Sequence, residues 1–253
     1  TRTEINNQCL LNKVPEVTFF FWVIKIMATT VGETAADFLN VNLDFGLSNT
    51  SYIMAALLLA ALLVQLSTRK YIPWIYWLSV VLISVVGTLI SDNLVDNLGV
   101  SLQTTTMAFS GALAVTFIAW HTAEKTLSVH TVFTIRRELF YWLAILFTFA
   151  LGTSAGDLVA EHLQLGYLPS AAIFGSAIVV VAIAHYVFRL NGILAFWISY
   201  VLTRPLGASF GDFLSQPAAN GGLGLGATET STLFLAAILG MVVYQTIGRK
   251  NSY

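Results

Sequence analysis

Four places in the chain pair a carboxylate with a second polar side chain four residues further on. They read VGETAAD with Glu33 and Asp37, ISDNLVD with Asp92 and Asp96, AGDLVAE with Asp157 and Glu161, and FGDFLSQ with Asp212 and Gln216. A spacing of four sets both members on one face of a helix, about a turn apart. Seven of the 13 acidic residues fall in these four places, each near the far end of a long apolar stretch. A carboxylate inside a membrane costs about 2.5 to 3.5 kcal/mol at the helix centre, and such residues mark ion paths or proton relays. The competing reading is depth: these positions come where a roughly 30 Å hydrocarbon core is ending and water is near. Carboxylates with hydroxyls and carbonyls form hard oxygen sites, suited to H⁺, Na⁺, Mg²⁺, Mn²⁺ or Ca²⁺ and poorly suited to soft metals. The first acid of each pair, Glu33, Asp92, Asp157 and Asp212, is the expected metal or cation ligand.

Other chemistry-bearing residues gather around these pairs. Thr88, Thr153 and Ser209 precede the acids and are expected to support them. Lys25 and Arg204 each lie eight residues before Glu33 and Asp212, about 12 Å deeper at 1.5 Å per residue. They are expected to compensate the carboxylates, with a buried salt bridge for Arg204 and snorkelling for Lys25 as the plainer readings. The histidines are dispersed, and only His162 adjoins an acid. GGLGLG at 221–226 lacks the lysine and the strand context of a nucleotide loop. No Ser or Cys is arranged with a His and an acid, so the chain is expected not to be an enzyme. Asp157 and Asp212, each following Gly, suggest an aspartyl dyad, but the same acid recurs in the other pairs.

The elements that position these residues are membrane helices. A hydrophobic content of 57%, with only 10% charged residues and a mean hydropathy of +0.77, belongs to a polytopic membrane protein. A net charge of -1 leaves no basic surface for nucleic acid, and the single Cys9 rules out an intramolecular disulfide. Apolar segments at 14–39, 50–67, 73–97, 101–121, 138–163, 167–188, 191–215 and 230–248 predict an all-α fold of eight transmembrane helices. Lys and Arg (Arg2, Lys13, Arg69, Lys70, Lys125, Arg136, Arg137, Arg189, Arg249, Lys250) occupy the ends and every second link, and the intervening turns hold none. By the positive-inside rule both termini are cytoplasmic and every carboxylate pair faces outward. The chain therefore reads as a cytoplasmic segment 1–13, one transmembrane domain over 14–248, and a cytoplasmic tail 249–253. Within the domain, four hairpins of parallel topology run at about 14–67, 73–121, 138–188 and 191–248. Aligned on the first acids, the repeats are 59, 65 and 55 residues apart, and Gly87, Gly152 and Gly207 stand five residues ahead of three of them.

The runs AFWISYVLTRPLGASFGDFLSQP, GGLGLG and LGTSAGDLVAEHLQLGYLPS resemble a family of bacterial proteins described as uncharacterised membrane-anchored proteins. The resemblance implies a multi-pass protein of the bacterial inner membrane built of repeated hairpins, and carries no reaction with it. The residues themselves support a secondary transporter or exporter of small cations in which Glu33, Asp37, Asp92, Asp96, Asp157, Glu161, Asp212 and Gln216 line the pathway. A cation-selective channel with an acidic ring is the alternative, and a scaffold or sensor with a structural ion the third. The expected partners are the lipid bilayer and small cations, with a bound divalent cation or Na⁺ as the only cofactor in view and oligomerisation left open.

Overall fold

The computed structural model describes residues 12–42 and 45–250; expectations placed on Arg2, Cys9 and the tail beyond 250 lie outside the described residues. Eight long helices follow one another: α1 Phe19–Asp37, α2 Leu47–Ser67, α3 Pro73–Asp92, α4 Leu102–Glu124, α5 Ile135–Asp157, α6 Tyr167–Tyr186, α7 Gly192–Ser215 and α8 Ala227–Lys250. All eight are long and apolar enough to cross a membrane. Their starts are set by local chemistry. Side-chain oxygens of Thr18, Ser101, Thr134 and Asn191 accept backbone N–H groups at the starts of α1, α4, α5 and α7, and Pro73 opens α3. Helix α1 begins at Phe19 rather than at 14, because Thr18 holds an extended backbone and caps it. The segment before it is non-helical instead, with the Lys13 N–H donating to Val132 O at 3.0 Å.

Helices α1, α3, α5 and α7 form a closed ring in which each packs on the next and α7 returns to α1. The other four lie outside it. Each outer helix packs chiefly on the inner helix of the following repeat: α2 on α3, α4 on α5, α6 on α7, and α8 back on α1. The two arms of a hairpin are thus joined covalently while their main contacts are made elsewhere. The outer helices show lipid-like surfaces, with Leu59, Val115, Val180 and Leu239 all exposed, as expected when both environments are apolar and no alternation marks an inner face.

Glycines set the approach within the ring. A Cβ on Gly32 would stand 2.6 Å from Ser84 Cβ, on Gly87 2.6 Å from Phe149 Cβ, on Gly152 2.5 Å from Arg204 Cβ, and on Gly207 2.7 Å from Thr29 Cβ. Each contact reaches the next repeat, and the fourth closes the circle. Small residues at helix crossings permit this closeness in lipid.

These contacts correct the alignment of the first repeat. Gly32, Gly87, Gly152 and Gly207 are equivalent, and each is followed five residues later by an aspartate: Asp37, Asp92, Asp157 and Asp212. Asp37, not Glu33, is therefore the counterpart of the other three. In agreement, a five-residue π-helical turn starts directly after Asp37, Asp92 and Asp157, and α2, α4 and α6 each begin ten residues after the aspartate. Glu33 is displaced one turn inward, to the level of Thr88, Thr153 and Ala208. Lys25 and Arg204 consequently do not share a position; Lys25 lies one turn deeper, level with Tyr200.

Candidate functional site

The ring brings the ends of four inner helices together, and with them every acid of the four pairs. Glu33, Asp37, Asp92, Asp96, Asp157, Glu161, Asp212 and Gln216 line one cavity of about 170 Å³. The four repeats thus build one site. Asn40, Val95 and Leu102 complete its wall. Asn40 escaped the sequence reading because the first repeat was aligned one turn out; placed three residues after Asp37, it is the position equivalent to Val95.

The site narrows inward in layers about 6 Å apart, one for every four helical residues. Asp96 and Glu161 form the exposed rim, with Gln216 beside them half-buried. Glu161 accepts a hydrogen bond from Tyr167 at 3.2 Å, and the Gln216 amide donates to Asp37 Oδ2 at 3.4 Å. Below lies the ring of four aspartates. Asp37, Asp92 and Asp157 are half-buried, while Asp212 is only 7% exposed. No described residue donates a hydrogen bond to Asp92, Asp157 or Asp212, so three carboxylates are presented to the cavity without partners.

The next two layers close the floor. Arg204, fully buried, donates from Nη2 to Glu33 Oε2 at 2.9 Å, to Thr153 Oγ1 at 2.7 Å and to Thr88 Oγ1. Its Nη1 donates to Thr29 O at 2.7 Å and its Nε to Phe149 O at 3.4 Å. One guanidinium from the fourth repeat therefore holds the three facing positions of the other repeats, Glu33, Thr88 and Thr153. The fourth such position, on its own helix, is Ala208, which leaves room for it. A planar group with five fixed donors is suited to bridging several helices at once.

One turn deeper, Lys25 is also fully buried. Its Nζ donates to Tyr200 O at 2.9 Å and to Thr203 Oγ1 at 2.5 Å, and it stands 4.1 Å from the Tyr200 ring centroid. It does not reach a water interface, and no carboxylate pairs with it among the described residues. Phe149 and Tyr200 flank the ammonium, and Phe21, Trp77 and Phe196 pack beneath. Of the expected supporting residues, Thr88, Thr153, Lys25 and Arg204 thus build the floor. Ser209 is buried away from the cavity, and its hydroxyl has no hydrogen bond. His162 is exposed and contacts Gln103.

Glu33, Asp92, Asp157 and Asp212 share the cavity, yet no group of three or more His, Cys, Asp or Glu among the described residues is arranged to hold a metal ion directly. The cavity is polar and has room for several waters. A cation here would be met through its hydration shell, with carboxylates accepting hydrogen bonds from the bound water.

No curated protein and no solved structure matches the chain. A family model of a repeated unit matches residues 20–71, 75–126, 140–191 and 195–251. Asp37, Asp92, Asp157 and Asp212 each stand 17 residues after the start of their match, which agrees with the corrected alignment. With four copies covering most of its length, the chain belongs to the family described as Repeat of Unknown Function (DUF347).

Proposed function

We propose that the protein is a secondary transporter of small inorganic cations, which it binds in the acidic cavity in exchange for protons. The supporting observation is the convergence of seven carboxylates on one cavity, with Asp212 buried in it and unpartnered. A buried charge without a partner is expensive, and a bound cation or proton offsets that cost. Cation and proton compete for the same oxygens, which couples the movement of one to that of the other.

In this reading the Arg204–Glu33 pair is the inner closure. Inward passage requires Arg204 to leave Glu33, so that the arriving cation takes the place of the guanidinium at that carboxylate. The guanidinium of Arg204, which stays charged, stands below the aspartate ring and repels any cation moving past a static floor. This favours an alternating carrier over an open cation channel. The membrane is taken to be the bacterial inner membrane, with the basic links on the cytoplasmic side and the cavity facing outward.

Isothermal titration of the purified protein with Mn²⁺, Mg²⁺, Ca²⁺ and Na⁺ at fixed ionic strength tests the binding step. At least one of these ions should bind saturably, and Asp212→Asn should weaken it by about tenfold or more, the equivalent of 1.4 kcal/mol. Absence of saturable binding in the native protein, or unchanged affinity in the variant, would rule the reading out.

A further inference from the structure

At the basic end of the bundle, far from the acids, a second cavity of about 530 Å³ opens between the end of α4 and the start of α7. Helix α4 packs on α5 and α6 packs on α7, and the gap between α4 and α7 forms the cavity. Its walls are apolar, made by Phe117 on one side and by Leu194, Trp197 and Ile198 on the other. The two walls touch at one point. Trp197 Nε1 donates to Leu127 O at 2.9 Å, and its ring meets Phe117 edge-on with centroids 4.9 Å apart. Leu194 is 49% exposed, so the groove is continuous with the apolar belt that the helices present to lipid.

Its polar side chains are His121, Lys125, Thr126 and Asn191. Lys125 ends α4 in a left-handed conformation, with φ 59°, and its side chain is exposed. It has no carboxylate partner among the described residues, since the neighbouring Glu124 is taken by Arg136 and Arg137 at 3.4 and 2.8 Å. The Asn191 side-chain Oδ1 accepts from the N–H groups of Ile193 and Leu194 at 2.9 and 3.3 Å, which leaves its Nδ2 donors for a ligand. A cation and neutral donors thus stand beside an apolar trough at the basic end of the bundle.

We propose that this groove binds an anionic phospholipid, with an acyl chain on Phe117, Leu194 and Ile198 and the headgroup phosphate on Lys125, assisted by His121 and Asn191. The charge selects the class. A single phosphate is attracted to Lys125, whereas the quaternary amine of a zwitterionic headgroup meets the same lysine with repulsion. The inference is independent of the transport reading.

Native mass spectrometry of protein released from nanodiscs with equal phosphatidylglycerol and phosphatidylcholine tests it. The native protein should retain one tightly held lipid, enriched in phosphatidylglycerol by about fivefold, the effect of one lysine at a membrane surface. Lys125→Gln should bring retention to near parity, and Lys70→Gln, an exposed lysine that lines neither groove nor cavity, should leave the enrichment intact. Ile198→Trp, which fills the trough, should abolish retention of both lipids. No retained lipid, equal retention of the two headgroups by native protein, enrichment that survives Lys125→Gln, or retention that survives Ile198→Trp would each overturn the proposal.

Discussion

Arg204 is where the floor of the cavity is most exposed to a single change. Arg204→Met keeps most of the stem, which lies against Gly152, and removes the guanidinium. Glu33, 6% exposed, then becomes a buried carboxylate without its cation, and removing one partner of a buried pair costs about 3–5 kcal/mol. Thr29 O and Thr153 Oγ1 lose donors at 2.7 Å as well, adding about 1 kcal/mol each. At roughly 2–4 °C per kcal/mol for a chain of this size, the unfolding temperature in detergent should fall by about 10–28 °C. The double variant Glu33→Gln, Arg204→Met carries no buried charge at this level and should recover about half of the loss or more, since replacing both partners is far cheaper than removing one. A shift of under about 2 °C in the single variant, or strictly additive losses in the double, would refute the account of the floor.

Glycine substitutions should divide by helix. Gly207→Ala drives a methyl group into Thr29 across the ring and should cost about 1–3 kcal/mol by overpacking. Gly111→Ala and Gly240→Ala, on outer helices with open space around them, should be neutral or stabilise by up to about 1 kcal/mol; the same thermal assay reads both. At the opposite end of the bundle, Lys13 pairs with Glu138 at 2.5 Å, and Gln65 donates to the same carboxylate at 3.0 Å. Lys13→Met should therefore destabilise by about 3–5 kcal/mol, measured as earlier unfolding, without changing cation affinity at the distant cavity. Asp92→Asn should weaken cation binding while leaving the unfolding temperature unchanged or raised, because it removes an unpartnered charge from a crowded acidic site.

Much of this architecture is legible in the chain. Apolar runs of about 20 residues specify eight helices, and carboxylates stand out against so apolar a background that all eight pair positions proved to line the cavity. The failures are equally physical. Glu33 and Asp37 imitate the four-residue spacing of the other pairs, so an alignment on charge slipped by one turn; Gly32, which marks the close approach to Ser84, carried the true register. The pairing of Glu33 with Arg204 spans 171 residues, and nothing local announces it. Nor does the sequence tell an outer helix to pack on the following repeat, because an apolar helix in lipid has no hydrophobic gradient to orient it.

The central claim is that the acidic cavity moves cations, and flux into proteoliposomes tests it most directly. Native protein, Asp157→Asn and Asp212→Asn would be compared across Mn²⁺, Mg²⁺, Ca²⁺ and Na⁺, with and without a pH gradient. The account predicts saturable, gradient-dependent uptake of at least one ion by the native protein and its loss in both variants, with each variant still folded. Native protein that moves none of these ions, or variants that transport at the native rate, would contradict it.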